Sequence, residues 1–92
     1  MGKLIDITGQ VFTRVQRISV TQDGERVRAE AIALLGGEPQ TIATEETAQS
    51  GETFAMAEAR AIAELRKTLY AAGVPKRAIA AAVKRHRERS TS

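Results

Sequence analysis

The residues of this 92-residue chain best suited to chemistry are its cations. The stretch "VKRHRERSTS" sets Lys84, Arg85, Arg87 and Arg89 within six positions. Lys76 and Arg77 stand just before it, and Arg66 and Lys67 lie one segment earlier. Guanidinium and ammonium groups donate several N–H bonds and carry their charge at neutral pH. Phosphates are matching acceptors. Each phosphate neutralised releases counterions, so about six such contacts give salt-sensitive, micromolar-class binding that reads no base sequence. The plainer reading of such a run is a solvated helical surface. The distribution of charge favours the first. Residues 1–59 hold five Lys/Arg against nine Asp/Glu, a net of −4, whereas residues 60–92 hold nine against two, a net of +7. The overall +3 is therefore all C-terminal, which fits a basic face meeting a polyanion.

The other candidates for chemistry are weaker. His86 is the sole histidine and has no partner at metal-ligand spacing, nor a Ser/Asp pair that would make a triad. It reads as a half-buried or surface residue. Glu45, Glu46, Glu52 and Glu58 are close in sequence, and paired carboxylates can act as acid and base or hold a divalent ion. Calcium-loop spacing is missing, so they read as a polar connection and a helix start. Glu58 is less ordinary. It falls in the apolar stripe of a helix, where an unpaired carboxylate is costly, and it is expected at the core's edge, paired with a sheet arginine such as Arg28 or with a partner. "LGGEP" matches neither phosphate-loop pattern. No activated nucleophile stands out, so no enzyme, metal or cofactor is expected.

The length suits one domain, here taken as residues 1–89 with a frayed tail at 90–92. A core this small buries a modest share of its surface, which raises the expectation of a homo-oligomer. There are no cysteines, so disulfides and thiolate metal sites are out, and a reducing, cytoplasmic setting is expected. No apolar run is long enough to span a membrane. "MGKLIDITGQ" lacks the apolar core of a secretory signal, and Asp6 stands where a myristoylation signal needs Ser or Thr.

The elements that would position these residues follow from periodicity. "LIDITGQVFTRVQRISV", residues 4–20, is rich in β-branched residues and predicts a strand. Val11, Thr13 and Val15 share one parity and Ile18 and Val20 the other, so a bulge or kink is expected near Gln16, and Gly9 marks a second break. Asp23-Gly24 signals a two-residue hairpin turn that pairs Val20 with Val27 and Ile18 with Ala29. A second strand, about 25–35, puts Val27, Ala29, Ala31 and Ala33 on one face, small enough for a helix to lie close. "LGGEPQ" turns the chain into a third strand, "PQTIATEET", polar enough for an edge. Ser50 is the expected N-cap of a first helix, with Glu52 in its first turn. On that helix Phe54, Ala55, Ala61, Ile62, Leu65, Leu69 and Ala72 form one face, and Arg60, Glu64 and Lys67 point away. Gly73 ends it and Pro75 begins another, about 76–88, with Ala78, Ile79, Ala82, Val83 and His86 inward. The fold class is α+β: a three-stranded antiparallel sheet followed by two helices on one face.

The stretch "AMAEARAIAELRKTLYAAGVP" resembles the helix of Rad52-like single-strand annealing proteins, common in phages, whose pattern runs "AETRAIARALRxAGI". The match is Ala57-Glu58-Ala59-Arg60-Ala61-Ile62-Ala63, then Leu65-Arg66 and Ala72-Gly73-Val74. "VTQDGERVRAEAIA" is similar to that family's hairpin, so the resemblance spans about residues 15–75. It implies Arg60 and Arg66 as contacts to a nucleic-acid backbone. This chain is much shorter than a typical member, and "LRKTLYAAG" aligns only with a gap. Three strands before an alanine-rich helix also resemble the double-stranded RNA-binding domain, but "SGETFAM" is acidic where that family has a basic "GKSKK"-like motif, and its first helix has no counterpart.

Together these readings give a non-enzymatic nucleic-acid-binding module, DNA favoured over RNA. The expected contacts are Arg60, Arg66, Lys67, Lys76, Arg77, Lys84, Arg85, Arg87 and Arg89. Phe12, Phe54 and Tyr70 are the only aromatics, so phosphates and shape would carry most of the binding. The alternative is a protein-interaction module, a phage-type inhibitor or self-assembling subunit, in which acidic and basic halves pair between copies or a polar edge strand accepts a partner.

Overall fold

The computed structural model describes the backbone of residues 11–91 and the side chains of residues 11–89. The strand expected over residues 4–10 and the break at Gly9 lie outside the described residues. The order is β1 (Phe12–Asp23), β2 (Arg26–Leu35), β3 (Glu38–Thr47), α1 (Phe54–Ala72) and α2 (Lys76–Thr91). The strands form one antiparallel sheet in the order β1-β2-β3, with both helices on the same face. The α+β, two-layer architecture is thus the one the periodicities predict, and β3 is an edge strand.

The sheet's inner face is built from period-two burial on β2. Val27, Ala29, Ala31 and Ala33 are fully buried, and their small side chains let α1 lie close over the central strand. β1 departs from strict alternation at two places, between Phe12 and Arg14 and between Val15 and Arg17. Thr13 and Gln16 are the extra residues, so Phe12, Val15 and Ile18, spaced by three, all turn inward. The expected phase change at Gln16 is there. The grouping of Val11, Thr13 and Val15 is not, because Thr13 is itself a bulge residue and both it and Val11 are exposed.

The first hairpin is shifted from the expected register. Asp23 pairs with Arg26, so the two-residue loop is Gly24-Glu25, Val20 faces Ala29 and Ile18 faces Ala31. Gly24 has φ of 61° while Glu25 keeps a negative φ. Positive φ at the first loop residue alone is the II′ pattern, which needs glycine first rather than second. Partners move by two residues, so each side chain keeps its face. At the second turn Gly36 and Gly37 both have positive φ, as a I′ turn requires.

The start of α1 also differs. Thr53, not Ser50, is the N-cap: its backbone is extended and its Oγ1 accepts from the Met56 N–H at 3.2 Å. Glu52 therefore precedes the cap, and the first turn holds no acidic residue. The buried face of α1 is Ala57, Ala61, Ile62, Leu65 and Leu69. Phe54, Ala55 and Ala72 are exposed, because they sit at the helix ends, beyond the sheet's reach. The helix stops as expected. Gly73 adopts φ of 105°, its N–H reaches Tyr70 O, and the Val74 N–H reaches Leu69 O. This is a Schellman closure, with Val74 buried beside Leu69. Pro75 O accepts from Ile79 N–H and opens α2, which continues to Thr91. α2 lays Ile79, Ala82, Val83 and His86 against β1, while α1 covers β2 and β3. No helix of the described residues is long and apolar enough to cross a membrane.

Candidate nucleic-acid interface

α1 and α2 lie side by side, joined by the three residues Gly73, Val74 and Pro75. Between them, on the side away from the sheet, runs a cleft. One part is lined by Ala63, Arg66, Lys67, Tyr70, Lys76, Ile79 and Ala80, and the next by Arg66, Ala80, Val83, Lys84, Arg87 and Glu88. Arg66 and Ala80 belong to both, so the two parts are continuous. A separate hollow, lined by Thr13 of β1 and by Pro75, Lys76, Arg77 and Ala78, lies at the start of α2 and places Arg77 outside the cleft. Helical geometry explains the convergence. Tyr70 lies four residues beyond Arg66 and three beyond Lys67 on α1, and Lys76, Ala80, Lys84 and Arg87 succeed one another at intervals of three or four on α2.

Arg66, Arg77 and Lys84 make no ion pair among the described residues. Lys67 meets Glu64 at 3.6 Å in an exposed pair of little energetic weight. Lys76 Nζ stands 5.0 Å from the centre of the Tyr70 ring, a cation–π distance.

Three other expected contacts face elsewhere. Arg60 turns to the start of its own helix. Its guanidinium donates to Glu52 at 2.8 and 3.1 Å and to Thr47 O, and it meets Glu46 at 3.1 Å. The Arg60 hydrogen bond, helped by the Gln49 N–H, holds the Glu52 carboxyl below its ordinary value of 4.5, against the opposing effect of burial. Glu52 in turn raises the guanidinium further above its usual range. Arg85 donates to Val15 O at 2.6 Å and Arg89 to Ile18 O at 2.9 Å, so both are tied to β1.

Glu58 pairs with His86 and not with Arg28. Its Oε2 lies 3.1 Å from His86 Nε2, while His86 Nδ1 lies 3.2 Å from Ile18 O. A carbonyl only accepts, so Nδ1 carries hydrogen. Arg28 is occupied by Glu30 and Glu45 on the opposite face of the sheet. Register explains the correction. Arg28 lies on the outer face of β2, so it cannot meet a residue of α1. His86 is buried, bracing α1, α2 and β1 together. No group of His, Cys, Asp or Glu among the described residues is arranged to hold a metal ion.

The cleft also has a wall that basic residues alone do not mark. Tyr70 is 57% exposed and stands within it. Its signal in the sequence is its position: it lies seven residues beyond Ala63, two turns along the same side of α1. In comparisons with known proteins, no family model, curated protein or solved structure matches this chain, so they bear on neither resemblance.

Proposed function

We propose that the protein is a small non-enzymatic nucleic-acid-binding module, DNA favoured, that holds phosphates along the basic cleft between α1 and α2. One observation supports this reading above the rest: Arg66, Lys67, Lys76, Lys84 and Arg87 line a single continuous surface, and Glu88 is the one carboxylate among the described residues that line it. Arg77 stands apart from that surface, in the hollow that the start of α2 shares with Thr13 of β1. Preformed cations in a row suit a polyanion better than an isolated anion. The resemblance to annealing proteins adds recombination or strand annealing as the process, in a cytoplasmic setting. A fluorescence anisotropy titration with single- and double-stranded DNA and RNA tests it. The expected result is micromolar binding that weakens steeply between about 50 and about 200 mM salt. Binding indifferent to salt, or none at micromolar protein, overturns the reading.

A second reading, a protein-interaction module or self-assembling subunit, draws on the sheet's outer face. Ile32 and Leu34 lie there beside Arg17 and Arg14, with both helices on the other side. Light scattering separates the two readings. An oligomer that binds no nucleic acid favours the second.

A further inference from the structure

The cleft is more than a row of charges. Where Tyr70 lines it, the cleft also has an apolar part, Ala63, Ile79 and Ala80. A surface that met only phosphates would have no use for an apolar part, since a phosphate there loses water without gaining a donor. A flat, uncharged ring fits it. Tyr70 supplies a second flat surface, and Lys76, 5.0 Å from the ring centre, braces that ring at the cleft's corner. Arg66, Lys67 and Lys76 line the same part of the cleft as these apolar residues. Apolar residues, an exposed aromatic ring and cations in one part of a cleft together match one nucleotide unit: base on the ring and apolar residues, backbone on the cations.

The length of the charged row selects a strand over a free nucleotide. Lys76 and Arg87 are eleven residues apart on one helix, about 16 Å along its axis. That spans several phosphates of one strand. A duplex hides its bases in the stack and cannot present one to the cleft without unpairing it.

Resting on the phosphate-binding reading above, we propose that the cleft is a single-strand site in which Tyr70 stacks on one unpaired base while Arg66, Lys67 and Lys76 hold the neighbouring phosphates.

The test compares three probes with the whole protein: a thymidine oligonucleotide, an abasic strand of equal length and charge, and a duplex. Tyr70 is the sole tyrosine and the chain has no tryptophan, so its own emission reports on the ring. The oligonucleotide should bind on the order of tenfold or more tightly than the abasic strand, quenching tyrosine emission that the abasic strand leaves unchanged. Tyr70→Ala should erase the difference between the two strands. Tyr70→Phe should keep it. Circular dichroism on each variant shows that the fold is intact, as expected for an exposed position. Equal binding of the two strands, or tighter binding of the duplex, overturns the stacking proposal while leaving phosphate binding in place. No binding of any probe overturns both.

Discussion

Glu58 is the residue whose chemistry depends most on its neighbours. On α1 it sits between the buried Ala57 and the half-buried Arg60, in a helix that otherwise presents apolar atoms to the sheet. Its carboxylate finds His86 Nε2 at 3.1 Å, and His86 spends its other nitrogen on Ile18 O. Removing one member of such a chain leaves the other buried without a partner, which costs about 1–3 kcal/mol. Glu58→Ala should therefore lower the denaturant midpoint. Glu58→Gln, which keeps an atom able to bond Nε2, should stay close to the parent. Equal losses in both variants would show that the carboxylate's charge, not the hydrogen bond, matters. The sequence marks Glu58 as out of place. It does not name the partner, because His86 lies 28 residues away and reaches Glu58 only once both helices are docked.

At the scale of elements, local signals proved as good as their chemistry was specific. Gly73 and Pro75 define the α1–α2 corner without ambiguity, since only glycine readily takes a φ of 105°. The alternating Val27, Ala29, Ala31 and Ala33 define a buried strand face just as firmly. The N-terminus of α1 is different, because Ser50 and Thr53 are both competent caps in sequence. What decides between them is tertiary: Arg60 draws in Glu52 and Glu46, fixing the chain ahead of Thr53. Thr53→Ala should accordingly cost about 1 kcal/mol, read as a fall in melting temperature, whereas Ser50→Ala should leave it nearly unchanged. The hairpin register is a similar case. Asp23, Gly24 and Glu25 allow two neighbouring loops, and the shared parity of the two means that burial alone does not choose.

For the whole molecule, the charge asymmetry was legible in the sequence, but its division of labour was not. Of the cations after residue 59, some line the cleft and others hold the fold together, and the two kinds alternate along α2. Lys84 lines the cleft while the next residue, Arg85, reaches back to Val15 O. A helix turns by about 100° per residue, so adjacent cations face different surroundings. Stability and binding should therefore separate in this pair. Arg85→Ala should lose about 1 kcal/mol of stability and bind nucleic acid almost as before. Lys84→Ala should unfold like the parent but lower the magnitude of the salt slope by about 0.7 on a single strand. Titrations run beside denaturant curves check both, and the reverse pattern would assign Arg85 to the ligand.

The bulge at Gln16 has a consequence beyond packing. Val15 and Ile18 are three residues apart, and in a regular strand their carbonyls would point to opposite sides. The extra residue brings both within reach of α2, where Arg85, His86 and Arg89 accept the role that a fourth strand would otherwise play. Unsatisfied groups along such a margin are a template on which other chains can deposit and aggregate. Here the stopper belongs to the last turns of the last helix, so unwinding of that helix and opening of the margin are one event. The cover over this margin of β1 thus lies in the same segment that carries much of the chain's positive charge.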